Sequence, residues 1–223
     1  MEIFFIIAIV VLVIGGIAYG PYLAKLRRDA MQQLAQTHNL QFTPAKDYSL
    51  ASRFGFLNKL AQGSNRYAYN ILSGHYKGHS ILVFDYHYET YSTDSMGRRK
   101  TSHHYFSFFI LNLPAHFPEL IISKEGFFSK VAQFFGYDDI DFESAEFSRK
   151  FVVRSPDKKF AYDFCNARMI DYLLDNRDLQ IEVDGSSLAF FFGRCLSVDD
   201  IIPNMDRMIE VRERIPDYVF SRR

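Results

Sequence analysis

Hydrophobic and polar positions follow three successive patterns along this chain. The first is an unbroken apolar run. No charged side chain occurs from Ile3 to Ala24, and Ile3 to Tyr19 reads I-F-F-I-I-A-I-V-V-L-V-I-G-G-I-A-Y. At about 1.5 Å rise per residue, about 20 such residues span a hydrocarbon core of about 30 Å. A helix satisfies every backbone polar group within that run, as lipid requires. The pattern predicts one transmembrane helix over 1–22, with Tyr19 and Tyr22 at the interface. Only Glu2 precedes the run, and its apolar stretch exceeds the length of a signal-peptide core, so it reads as a retained anchor.

The second pattern has helical spacing. Leu23, Leu26, Ala30 and Leu34 recur at three- and four-residue steps, with Arg27, Arg28, Asp29, Gln32 and Gln33 between them. This predicts a juxtamembrane helix over 23–40.

The third pattern is rich in β-branched and aromatic residues. Tyr67–Leu72, Ile81–Thr90 and His103–Leu113 read as strands of an antiparallel meander over 67–113, ending at Pro114. Downstream, the expectation is a short helix at Phe127–Phe135, a strand at Phe147–Arg154 and a helix at Lys158–Asp175. A hairpin over Leu179–Val183 and Ser187–Gly193, turning at Asp184-Gly185, comes next. The last element is a helix from Ser197 to Arg214 with Ile201, Met205, Met208 and Val211 buried. Strands and helices without strict alternation predict an α+β domain over 41–223. Two subdomains, 41–115 and 116–223, remain open at this point.

Composition narrows the class. Hydrophobic residues make up 48% of the chain and aromatics 17%, so a core is expected rather than disorder. The 26 basic and 26 acidic residues balance, which argues against nucleic acid as a partner. The two cysteines, Cys165 and Cys195, have neither zinc-pair nor redox-pair spacing and are expected to be reduced and buried. Lys25, Arg27 and Arg28 follow the apolar run, so the positive-inside rule puts the N-terminus outside and the domain in the cytoplasm of a bacterial inner membrane.

The segment D-F-E-S-A-E-F-S-R-K-F-V-V-R-S-P-D, Asp141 to Asp157, precedes Arg168-Met169-Ile170 and the run I-E-V-D-G-S-S-L-A-F. This arrangement resembles an uncharacterised family of bacterial membrane-anchored proteins, a domain of unknown function, over Asp141 to Phe192. The resemblance implies a membrane anchor and this fold, with Phe147, Phe151 and Val153 alternating on a strand and Asp157 capping a helix. It implies no activity.

No phosphate-binding loop, dinucleotide fingerprint, nucleophile elbow or H-E-x-x-H helix is present. Five of the seven histidines fall between positions 75 and 104: His75, His79, His87, His103 and His104. Asp85, His87 and Glu89 alternate and so share one strand face, opposite Phe84, Tyr86 and Tyr88. With His103 or His104 across from them, imidazole and carboxylate would suit zinc or a similar cation. An ordinary sheet with one solvated face gives the same pattern, and that reading is preferred. Arg98, Arg99 and Lys100, with Lys25, Arg27 and Arg28, are candidates for contact with anionic headgroups. The expected function is a non-enzymatic binding or scaffolding module tethered at the inner membrane surface. Its expected partners are the bilayer and an unknown protein, and no cofactor is expected. The alternative is a metal-dependent enzyme built on the His75–His104 cluster.

Overall fold

The computed structural model describes residues 2–124 and 138–221, with side chains from residue 19 onward. Helix α1 runs without a break from Glu2 to Thr37, through Pro21. The Ile3–Tyr19 run therefore lies almost wholly outside the residues whose side chains are described, as does the expected Phe127–Phe135 helix. Among the described residues, no helix is long and apolar enough to cross a membrane.

The stripe that α1 buries differs from the expected one. Met31 and Ala35 are buried, while Leu23 and Leu26 are 44% and 47% exposed. Arg27, Met31 and Ala35 follow at four-residue steps and so stack on one face. That face lies on the sheet, and the helix has left the sheet by Leu23.

The sheet has six strands: β1 (Gln41–Thr43), β2 (Ser64–Tyr76), β3 (His79–Thr93), β4 (Arg99–Lys124), β5 (Phe151–Arg154) and β6 (Ile181–Phe191). Their order is β1-β2-β3-β4-β5, with β6 also paired to β4, and every pairing is antiparallel. One sheet therefore passes through both halves of the 41–223 region. The meander is present, but β4 does not stop at Pro114. Pairing of β4 with β3 ends at Leu111, and its register with β6 is irregular between Asn112 and Leu120. Pro114 falls in that gap, where a missing N–H breaks no ladder.

Asp184-Gly185 is not a hairpin turn. Gly185, at φ 55°, sits between two register shifts in a continuous β6. The local turn signal marks a bulge that bends the strand along β4.

Both sheet faces are covered. Ile81, Val83, Phe109 and Leu111 join Met31 and Ala35 in one core, which the C-terminal helices complete. Phe84, Tyr86, Tyr88, Phe106 and Phe108 form the other with Leu50, Phe54, Leu57 and Leu60, from helix α2 (Ser49–Arg53) and the segment after it.

The Asp141–Phe192 region is built from shorter pieces than expected. Ser144 caps helix α3 (Ala145–Lys150) by accepting from Phe147 N–H, so Phe147 is helical and only Phe151 and Val153 lie on β5. The expected 158–175 helix is two, α4 (Lys158–Phe164) and α5 (Ala167–Asp175), divided at Cys165-Asn166. Asp157 caps the first through Phe160 N–H, and Asn166 caps the second through Met169 N–H. Replacing Asp157 with alanine orphans that N–H and is expected to lower unfolding free energy by about 1 kcal/mol in denaturant titration. Helix α6 (Ile201–Arg214) buries Ile201, Met205, Met208 and Val211 as the spacing predicts, and α7 (Asp217–Phe220) follows it. Cys165 is buried, Cys195 is half-buried, and both are free thiols.

Candidate functional site

The odd-numbered face of β3 is apolar at Ile81 and Val83 and then turns polar at Asp85, His87 and Glu89. A carboxylate inside an apolar strand must be hydrogen-bonded and charge-paired to be tolerated. Asp85 is 1% exposed, and four donors meet it. Arg27 binds it with two prongs, Nε to Oδ2 at 2.8 Å and Nη2 to Oδ1 at 2.7 Å. Asn70 Nδ2 donates to Oδ2 at 2.9 Å, and Ser107 Oγ donates to Oδ1 at 3.0 Å. Arg27 Nη1 also donates to Leu196 O at 2.6 Å, and Leu196 N–H donates to Ser107 Oγ at 2.9 Å. Asn70 reaches in from a β2 irregularity at φ 50°, a left-handed conformation that asparagine tolerates. The network fastens α1 to β2, β3, β4 and the segment after β6.

Asp85 is thus fully occupied and is not part of a metal cluster. Arg27 faces the protein rather than lipid headgroups, while Lys25 and Arg28 are exposed. The two corrections share one cause, because each residue is the other's partner.

Further along the same face, His87 and His103 meet. His87 Nε2 lies 3.1 Å from His103 Nδ1, and His103 Nδ1 lies 3.5 Å from a Glu89 oxygen. The ligand atoms of His87, Glu89 and His103 all fall within 4.8 Å of one another. The register pairs Glu89 with His103 directly and His87 with Tyr105. Carbonyl oxygens only accept, so the 3.1 Å contact of His87 Nδ1 with Asn65 O makes Nδ1 the protonated nitrogen. Asn65 Nδ2 and the Tyr91 hydroxyl donate to Glu89 at 2.6 and 2.8 Å, and hold its carboxyl below the usual carboxylate range. Burial lowers the proton affinity of His87, which stacks on Tyr67 at 4.5 Å and tilts against Tyr105 at 4.7 Å.

The remaining histidines diverge. His104 lies on the opposite face, stacked on Tyr88 and bonded to Thr90. His75 and His79 sit at the far end of the β2–β3 hairpin. Sequence reasoning missed Asn65, Tyr67, Tyr91 and Tyr105, although extending the period-two pattern from His103 to Tyr105 would have found the last.

At the β3–β4 tip, Arg98 pairs with Asp94 at 2.9 Å and Arg99 stacks on Tyr91 at 3.8 Å, while Lys100 is exposed.

A second buried polar cluster lies in the opposite layer. Glu182 on β6 is 1% exposed and accepts from Asn58 N–H at 2.6 Å, from Asn58 Nδ2 at 3.0 Å and from Lys59 N–H at 3.5 Å. Asn58 also donates to Glu119 on β4. Burial pushes the Glu182 carboxyl up to about 7 and the Lys59 ammonium down to about 8. A groove of about 600 Å³ opens between α2 and the strands, with Arg53, Phe56, His75 and Asn112 on its walls.

No known family model matches the chain, and no curated protein matches it. Among solved structures, the crystal structure of the mycobacterial trehalose monomycolate transport factor A, TtfA, is similar. The likeness has a TM-score of 0.58 at 11% identity and covers 86% of this chain and 91% of that one. At that identity the shared property is the fold, helices packed on an antiparallel sheet.

Proposed function

We propose that this chain is a membrane-tethered, non-enzymatic binding module, held at the inner face of a bacterial membrane. The observation that carries this reading is the continuity of α1. One helix leads from the uncharged Ile3–Ala24 run into the sheet, where Arg27 and Asp85 clamp it. A helix without an intervening loop restrains both height and orientation above the bilayer, which suits a platform that presents a surface to a partner. The resemblance of Asp141–Phe192 to membrane-anchored proteins agrees with a tether. The likeness to TtfA, a transport factor by name, is compatible with an accessory role. Lys25 and Arg28, exposed just after the run, favour a cytoplasmic domain.

Reporter fusions test the topology. A green fluorescent protein fused after Arg223 is expected to fluoresce at the cell membrane, and alkaline phosphatase at the same point is expected to be inactive. The reverse pattern contradicts the reading. For the binding role, a photo-crosslinking residue at Tyr105 or Phe56 is expected to give one discrete adduct in cells. Absence of an adduct from both faces would contradict it.

A further inference from the structure

We propose that His87, Glu89 and His103 form a binding site for a divalent transition ion with the preferences of zinc. The case rests on geometry and is independent of the membrane tether. Ligands about 2.0–2.1 Å from a tetrahedral zinc stand about 3.3–3.4 Å apart. The separations here, 3.1 Å from His87 Nε2 to His103 Nδ1 and 3.5 Å from His103 Nδ1 to Glu89 Oε1, bracket that edge. The third separation, between His87 Nε2 and the Glu89 carboxylate, is within 4.8 Å, so a shift of these side chains closes the three ligands on an ion.

The donors are also oriented. The Asn65 carbonyl takes the Nδ1 proton of His87 and so aims its Nε2 lone pair at the centre. A second partner of this kind fixes the tautomer of metal-binding histidines and raises their basicity. Asn65 Nδ2 and the Tyr91 hydroxyl hold the Glu89 carboxylate, one at each oxygen. In the ion-free chain a proton on His103 Nδ1 bridges to His87 Nε2. A bound cation takes its place, and the neutral His103 ring then carries its one N–H proton on Nε2.

Two imidazoles and one carboxylate favour zinc over magnesium or calcium, which prefer all-oxygen shells. Three protein ligands leave a fourth position open, and His103 is exposed, so a water or an oxygen ligand from outside can fill it. Asp85 cannot join, because Arg27, Asn70 and Ser107 occupy its oxygens.

The test uses the full chain in detergent micelles, stripped with a chelator and titrated with zinc by calorimetry and thermal unfolding. About one equivalent is expected to bind, and the unfolding midpoint is expected to rise with zinc concentration. His103→Ala is expected to weaken zinc binding by at least about tenfold, given that loss of an outer-shell partner alone costs about 10–100-fold. His104→Ala, on the other face, is expected to bind zinc as the parent does. Should His103→Ala fold poorly, Glu89→Gln keeps the shape of the side chain and is expected to weaken zinc binding comparably. Absence of heat and of any midpoint shift in the parent, or unchanged affinity in both His103→Ala and Glu89→Gln, overturns the proposal.

Discussion

Replacing Arg27 with methionine is expected to destabilise the fold by about 3–5 kcal/mol, because it strands a buried carboxylate. Asp85 is 1% exposed and would keep Asn70 and Ser107 as donors, with the Cys195 thiol beside it. Those two neutral hydrogen bonds place the effect at the lower end of that range. Lysine at position 27 would restore charge but not the fork that also reaches Leu196 O, so a partial loss is expected. The doubly apolar variant Arg27→Met/Asp85→Leu is expected to recover much of the loss, since a buried ion pair and its apolar replacement are often close in stability. Chemical denaturation of the parent, Arg27→Met, Asp85→Leu and the double variant gives the coupling energy. Amide exchange should show α1 from 23 to 37 opening more readily in Arg27→Met. A loss below about 1 kcal/mol would mean that the pair is effectively solvated and does not clamp the helix.

The second large effect concerns pH. Glu182 has its folded-state proton affinity raised, with the carboxyl at about 7 against an ordinary 4.5. Between those values the folded chain holds a proton that the unfolded chain gives up. Stability should therefore fall as pH rises from about 4.5 to about 7, by about 3 kcal/mol at about 1.4 kcal/mol per pH unit. Burial also raises Glu119, in the same direction. Lys59, lowered to about 8, acts in a separate window, its charge being costly below that value and the cost fading toward 10.5. Glu182→Gln is expected to flatten the lower window. Glutamine still accepts from Asn58 N–H and carries no charge to desolvate. Unfolding midpoints of parent and Glu182→Gln across pH 5–8 measure the difference; parallel curves would refute the assignment.

Glu182 also illustrates what sequence patterns omit. The expected 179–193 hairpin put it on a short strand beside a turn. In the structure it lies mid-sheet beneath Asn58 and Lys59, residues more than 120 positions away. Some short-range patterns were readable and others, such as the α1 stripe and the strand expected at Phe147, were not. The buried stripe of α6, the split of β3 into an aromatic and a polar face and the strand character of β2 and β4 follow from periodicity alone, but the polar face was expected to be solvated and Asp85 and His87 are buried. The failures share a dependence on distant contacts. Asp184-Gly185 has turn chemistry, but its pairing with the irregular part of β4 makes it a bulge. Asn166 reads as a helix residue until its side chain is seen to cap α5 and reach Arg214 O.

The candidate site divides in the same way. Alternation puts Asp85, His87 and Glu89 together, and that much was legible. Which of His103 and His104 faces them depends on register, which sequence left open. That Asp85 belongs to Arg27 depends on where α1 docks. An aspartate within I-L-V-F-D-Y-H was the signal that a distant cation had to be found. Arg27, four residues before Met31 and eight before Ala35, stood on the correct face to supply it.

Alkaline extraction of membranes from cells making the full chain tests the tethered reading most directly. The full chain is expected to stay in the membrane pellet at high pH. A chain lacking residues 2–18, which keeps Arg27 and its clamp on Asp85, is expected to appear in the supernatant as folded protein. Release of the full chain by alkali, or retention of the shortened one, would contradict the account.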